Sequence, residues 1–174
     1  MKSKILFVLV PLVLIIALLA SCAPAAPQAT EAPKETTLER AKREGVIRLG
    51  FANEVPFGYA DPSGKLAGES PDVAKAVFSK MGIASVEGVL TEFGGLIPGL
   101  QAGRYDAITA GMYVKPKRCE EVLFSNPDYC IGQALAVKAG NPLNLHSYED
   151  IAANPDAKVG VMAGAFEEDY LLKV

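Results

Sequence analysis

Short apolar runs rich in β-branched residues alternate along this chain with segments that carry helix start and stop signals. That alternation limits the possible folds more than any other feature. Val46-Ile47-Arg48-Leu49-Gly50-Phe51 reads as a strand with Ile47, Leu49 and Phe51 on one face. Residues 85–91 and 107–110 read as two further strands, and Lys158-Val159-Gly160-Val161-Met162 as another; residues 129–137 read as extended. Thr36 and Glu39 make a capping-box pattern for a helix over residues 38–44, stopped by Gly45. Ser70-Pro71-Asp72 predicts a second helix, with an N-cap serine, proline at the first position and an acid at the positive end. Val73, Ala74, Val77, Phe78 and Met81 then recur at helical spacing as far as Gly82, a stripe expected to pack in the core. Leu96, Ile97 and Leu100 mark a third helix, with Pro98 tolerable in its first turn and Gly103 beyond its end. Ser147 and Asp150 cap another, and an acidic helix follows Ala163-Gly164-Ala165. Asp61-Pro62-Ser63-Gly64 is a turn between two short strands around Tyr59 and Leu66. Strands alternating with helices predict an α/β fold with a largely parallel sheet.

The first residues stand apart from this pattern. Lys2 and Lys4 precede an unbroken apolar run over residues 5–20, interrupted only by Pro11 and followed by Leu19-Ala20-Ser21-Cys22. A basic start, a short apolar stretch and small residues before a cleavage point describe a secretory signal over residues 1–21, and the run is short for a spanning helix. Leu-Ala-Ser-Cys resembles the lipobox of bacterial lipoproteins, which implies a diacylglyceryl group on Cys22; a plain signal peptide is the alternative. Lipidation tethers a protein to a membrane surface without crossing it. Residues 22–37, rich in alanine, proline and threonine, read as a flexible tether. Removing the signal shifts the formal net charge from −3 to about −5, a balance that gives no reason to expect nucleic acid. Export implies an oxidising setting, so Cys119 and Cys130 either form a disulfide or remain two buried thiols. No Cys/His pair accompanies them, and His146 is the only histidine, so no metal is expected.

In open α/β sheets ligands sit beyond the carboxyl ends of the strands. The loops expected there are 53–59, 92–95 and 111–118, with 163–165 repeating the pattern. Arg118 falls near the start of a helix beginning at Pro116, and its planar fork suits a ligand carboxylate because it can bond both oxygens. Tyr113, five residues earlier, offers a flat ring. The plain alternative is a surface arginine beside a core tyrosine.

Four motifs carry a family resemblance from about Leu38 onward: Gly45-Val46-Ile47-Arg48-Leu49-Gly50, Gly68-Glu69-Ser70-Pro71-Asp72-Val73-Ala74, Leu96-Ile97-Pro98-Gly99-Leu100 and Gly103-Arg104-Tyr105-Asp106-Ala107. The last two resemble the "L-I-P-A-L-x-x-G-R-x-D" signature of the family 3 extracellular solute-binding proteins that feed ABC importers. Residues 52–59 and Lys117-Arg118-Cys119-Glu120 are similar to the ectoine- and hydroxyectoine-binding members. The resemblance implies a periplasmic-binding-protein type II fold, in which two lobes close on ligand like a hinged clamp. Residues 38–137 would be lobe one and 138–174 the start of an incomplete lobe two, since members usually continue for about a hundred residues more. It implies that Arg118 takes a ligand carboxylate. A serine or threonine is the common occupant at Tyr113, and the departure speaks against a free α-amino acid. With Phe57 and Phe93, Tyr113 would form an aromatic box for a delocalised or alkylated cation. Glu54 would hydrogen-bond an amidinium, Gly111 or Met112 would add backbone contacts, and Gly164 and Ala165 would offer N–H groups. Phe57 and Phe93 as apolar plugs, and Glu54 as a solvated acid or partner of Arg48, are the bland alternatives; Tyr59 and Tyr105 read as packing residues.

The expected function is therefore a lipid-anchored binding protein for a small zwitterionic solute such as ectoine, acting as a monomer with an ABC permease and its ATPase. A polar or cationic amino acid is the alternative ligand. A dehydratase or lyase of the same fold is a remote one, because the sequence offers no Ser-His-Asp set, no paired catalytic acids and no cofactor motif.

Overall fold

The structure, a computed structural model, describes residues 34–173. The signal peptide over residues 1–21, the lipidation site Cys22 and most of the tether lie outside the described residues. Helix α1 (Thr37–Glu44) opens on the expected capping box: Thr36 Oγ1 accepts from the Glu39 N–H at 3.2 Å while the Thr36 N–H donates to Glu39 Oε2 at 2.8 Å. Gly45 ends it in the left-handed region (φ 72°), where a glycine costs least. β1 (Val46–Phe51), the hairpin β2 (Tyr59–Ala60) and β3 (Leu66–Ala67), α2 (Glu69–Lys80) and β4 (Ser85–Leu90) follow. A single 3₁₀ turn (Phe93–Gly95) leads into α3 (Leu96–Gln101), and then come β5 (Ala107–Ile108), α4 (Pro116–Cys119), α5 (Tyr148–Ala153) and α6 (Phe166–Leu171).

The sheet order is β4-β1-β5, all parallel, with Val46 opposite Ser85 and Leu49 opposite Ala107. β1 therefore lies between its two neighbours, and the connections to them leave from the same edge. Ile47 and Leu49 turn to one core with Ala41 and Ile83; Ala52, Phe93, Leu96 and Tyr105 form a second. Leu49 and Leu96 are fully buried, each contributing about 1.5–3 kcal/mol by leaving water.

Two contacts fix the lower and middle parts of this sheet. Asp106 is only 5% exposed and receives Arg48 twice, through the backbone N–H at 2.9 Å and Nη2 at 3.0 Å, with Arg40 Nη2 at 2.6 Å. It thereby ties α1 and β1 to the entry of β5. Tyr105 lies between two glycines: a Cβ on Gly50 would overlap its ring and one on Gly99 its hydroxyl, which donates to the Leu96 carbonyl. Gly99 stands where the family signature has alanine, and the tyrosine fills the space a methyl would need.

Several expectations are corrected. α2 starts at Glu69 with Gly68 as its cap, one turn position earlier than expected, so Ser70 and Pro71 are buried in the first turn and Ser70 does not cap. Of its apolar stripe, Ala74 and Phe78 pack on the core while Val73, Val77 and Met81 are exposed. Residues 158–162 and 129–137 form no ladder among the described residues, and Leu135, Val137, Val159 and Val161 are exposed. An alternating pattern becomes a strand only where a neighbour takes its N–H and C=O groups. Cys119 and Cys130 are exposed, free thiols, neither disulfide-bonded nor buried.

Burial pushes the Asp106 carboxyl up, but the hydrogen bonds from Arg48 and Arg40 outweigh it and hold the group below the usual carboxylate range. A depressed carboxyl stabilises the fold above its unfolded value, and that contribution is lost as pH falls through the folded one. Asp106→Asn is expected to cost about 2–3 kcal/mol at neutral pH. In urea melts across pH, the gap to the unsubstituted chain should close below the usual carboxylate range; a pH-independent gap would contradict this.

Candidate ligand-binding site

Because the three strands are parallel, the loops after β1, β4 and β5 leave the sheet at one edge. The Thr109 N–H bonds to Gly50 O at 2.8 Å and the Thr91 N–H to Phe51 O at 2.9 Å, carrying the ladder to the point where the loops diverge. After β1 the chain folds back on itself, with the Glu54 N–H bonded to Gly58 O at 2.8 Å and the Gly58 N–H to Glu54 O at 3.0 Å. Gly58 lies so close to the third loop that a Cβ there would be 2.8 Å from Thr109 O. This tight return brings Phe57 against Gly111, whose Cβ would meet the Phe57 ring at 3.1 Å. Tyr129 stacks on the other side of Phe57, centroids 5.5 Å apart and planes 7° from parallel.

Arg118, in the one-turn helix α4, is 7% exposed. Its guanidinium lies over the Phe93 ring, 5.5 Å from the centroid. Nη1 donates to Tyr113 O and Nη2 to Gly164 O, both at 2.8 Å. Both of its hydrogen bonds among the described residues thus go to neutral carbonyls. Burial pulls its proton affinity down, partly offset by Asp169, Glu167 and Glu54. Glu54 is half-buried, and its Oε2 is sealed from solvent without a hydrogen-bond partner. Burial, then the like charge of Glu167, pushes the Glu54 carboxyl up, while Arg118 pulls the other way.

The segment before α6 reaches the same place. Gly94 and Gly164 touch: a Cβ on Gly164, itself at φ 78°, would come 2.9 Å from the Gly94 Cα. Two glycines here let the backbones approach closely enough for Gly164 O to meet Arg118. Phe166 packs on Tyr113, centroids 5.4 Å apart, and Lys115 Nζ lies 5.4 Å over the Phe166 ring and pairs with Asp169.

The structure brings Glu54, Phe57, Phe93, Gly111, Tyr113 and Arg118 to one edge of the sheet, with Gly164 against Arg118. It uses two expected donors differently: the Gly164 N–H bonds to Glu168 Oε2 at 2.7 Å and the Ala165 N–H to Met162 O at 3.0 Å. Tyr129, Phe166 and Glu167 were missed by sequence reasoning. They lie in stretches with no motif, and only the aromatic-acidic run from Phe166 to Tyr170 hinted at them. His146 contacts Asn141 and Asn144 and has no part here. A recess of about 640 Å³ borders Gln133, Glu167 and the exposed apolar residues Leu135, Val137, Val159 and Val161, but includes neither Arg118 nor Glu54. It is the gap between the unpaired extended segments. Among the described residues no cluster of His, Cys, Asp or Glu is placed to hold a metal ion.

A parallel sheet with charged and aromatic groups gathered at its carboxyl edge defines an α/β ligand-binding protein of the periplasmic-binding-protein type II fold. The chain belongs to the bacterial extracellular solute-binding proteins, family 3, whose model matches residues 47–168. It is 47% identical over 131 residues to a probable amino-acid ABC transporter periplasmic-binding protein of Sinorhizobium fredii, covering 74% of this chain and 43% of that protein. It is 32% identical over 125 residues to the L-arginine-binding protein of Pseudomonas aeruginosa, covering 71% and 46%. Among solved structures, EhuB in complex with hydroxyectoine is 50% identical with a TM-score of 0.75, covering 79% of this chain and 53% of EhuB. The chain spans about half the length of the relatives it matches.

A raised carboxyl makes a definite pH signature. Glu54 costs the ligand-free fold stability as pH rises from the usual glutamate range through its higher folded value. Glu54→Gln is expected to melt at or above the unsubstituted chain at neutral pH, with the difference vanishing in acid. Scanning fluorimetry across pH checks this, and a variant destabilised at every pH would contradict it.

Proposed function

We propose that this chain belongs to the substrate-binding component of an ABC importer, exported and anchored through a lipid on Cys22. In this reading it captures a small zwitterion of the ectoine or hydroxyectoine type and presents it to a permease and ATPase, acting by binding rather than catalysis. Residues 38–137 form lobe one and residues 138–174 the start of lobe two.

The observation that carries this reading is Arg118. A guanidinium that is 7% exposed, bonded only to neutral carbonyls and laid over Phe93, is a charge kept ready for a carboxylate. Glu54, with one buried and unpartnered oxygen, supplies the opposite charge for the ligand's cationic end. Phe57, Phe93 and Tyr113 supply ring faces, each worth about 0.5–2 kcal/mol against a desolvated cation, and Gly111 allows close approach beside Phe57. The likeness to EhuB with hydroxyectoine supports this ligand class.

A cationic amino acid such as arginine is the second reading. It is favoured by the likeness to the L-arginine-binding protein and by the acids Glu54 and Glu167 within electrostatic reach of Arg118.

Calorimetry with hydroxyectoine, ectoine, arginine, glutamine and glycine betaine separates the two. Hydroxyectoine or ectoine is expected to bind most tightly. Arg118→Ala should abolish binding, and Phe93→Ala should weaken it by about three- to thirtyfold. Undiminished affinity in Arg118→Ala would sink the site. A preference for arginine over ectoine would replace the first ligand with the second.

A further inference from the structure

Glu167 was not among the residues singled out by sequence, yet its surroundings hold it beside the charged groups of the site. It is half-buried in the first turn of α6. Gln133 Nε2 donates to its Oε1 at 3.1 Å, and Gln133 Oε1 accepts from the Tyr148 hydroxyl at 2.9 Å. The Tyr148 ring stacks on Tyr170 of the same helix, centroids 5.2 Å apart. These contacts orient the carboxylate without supplying a cation. Its neighbours place it: Phe166 lies on Tyr113, and Gly164, three residues earlier, gives its carbonyl to Arg118. Lys115, the cation nearest to this helix in these contacts, pairs with Asp169.

We propose that Glu167 and Glu54 form a two-carboxylate seat for the ligand's cationic end, with Arg118 taking the carboxylate and Gln133 and Tyr148 acting as positioning residues. This rests on the site reading above. The chemistry of the cation follows from the two acids coming from different elements. An amidinium or guanidinium carries several N–H groups that diverge, so each carboxylate can accept a separate charge-assisted hydrogen bond. A quaternary ammonium has no N–H to give and gains only the ring faces. The seat therefore selects N–H cations over quaternary ones, whether the cation is a cyclic amidinium or a guanidinium. The mutual repulsion of the two acids agrees with the raised Glu54 carboxyl in the ligand-free chain.

Glu167→Gln tests this, since glutamine keeps an acceptor for Gln133. Calorimetry on the full chain with hydroxyectoine, arginine and glycine betaine is compared with the same measurements on Arg118→Ala. Glu167→Gln is expected to weaken whichever N–H cation binds by about tenfold or more, with glycine betaine changed less than about twofold and the melting temperature held. In carbon-detected NMR titrations, the Glu54 carboxyl should move down toward the usual range in Glu167→Gln. Unchanged affinity for the N–H cation in Glu167→Gln, with loss in Arg118→Ala, overturns the seat and leaves the site reading standing. A chain that binds none of the three overturns the site reading and the seat's role with it. An unmoved Glu54 titration overturns the pairing of the two acids on its own.

Discussion

A buried guanidinium has to be satisfied, and much of the site is arranged around satisfying that of Arg118. Taking such a charge out of water costs several kcal/mol or more, about the scale of a whole domain's net stability. The protein answers with two neutral carbonyls, Tyr113 O and Gly164 O, an aromatic face from Phe93, and acids held within electrostatic reach. Carbonyl dipoles soften the cost without cancelling the charge. That incomplete compensation is what gives a ligand carboxylate something to gain.

The rest of the fold can be followed outward from this residue. Parallel pairing of β4, β1 and β5 sends three loops to one edge. Asp106 holds the opposite end of the sheet by joining α1, β1 and β5, while Tyr105, fitted between Gly50 and Gly99, sets how closely α3 approaches. At the ligand edge the same device recurs with a different purpose. Gly58 against Thr109, Gly111 against Phe57 and Gly94 against Gly164 are close approaches that a side chain would obstruct. Small residues compress the core in one place and open a site in another.

Much of this was legible in the sequence because it is local. The capping box of α1, the turn at Asp61–Gly64, the period of β1 and the strand-loop-helix order all follow from neighbouring residues, and each appears in the structure. Arg118 and Tyr113 stood out because a strand-end loop leading to a proline-started helix is a recognisable place for a charged group. The parts that escaped depend on contacts distant in sequence. Val159 and Val161 alternate like a strand, but pairing needs a partner, and the described residues offer none. Ser70 reads as a cap until the loop carbonyls of Pro56 and Phe57 take the N–H groups of Glu69 and Ser70 and draw the helix start forward. Phe166 and Glu167 matter only because α6 packs over Tyr113, a contact 53 residues away along the chain for that ring pair.

The central claim is that Arg118 can exchange a carbonyl for a ligand carboxylate. A crystal structure of the chain with the tightest-binding member of the ligand panel tests it most directly. The account predicts the ligand carboxylate within hydrogen-bonding distance of the Arg118 guanidinium, with at least one of the bonds to Tyr113 O and Gly164 O lengthened or replaced. A bound ligand whose carboxylate lies elsewhere, with both carbonyl bonds kept at their present 2.8 Å, would contradict it.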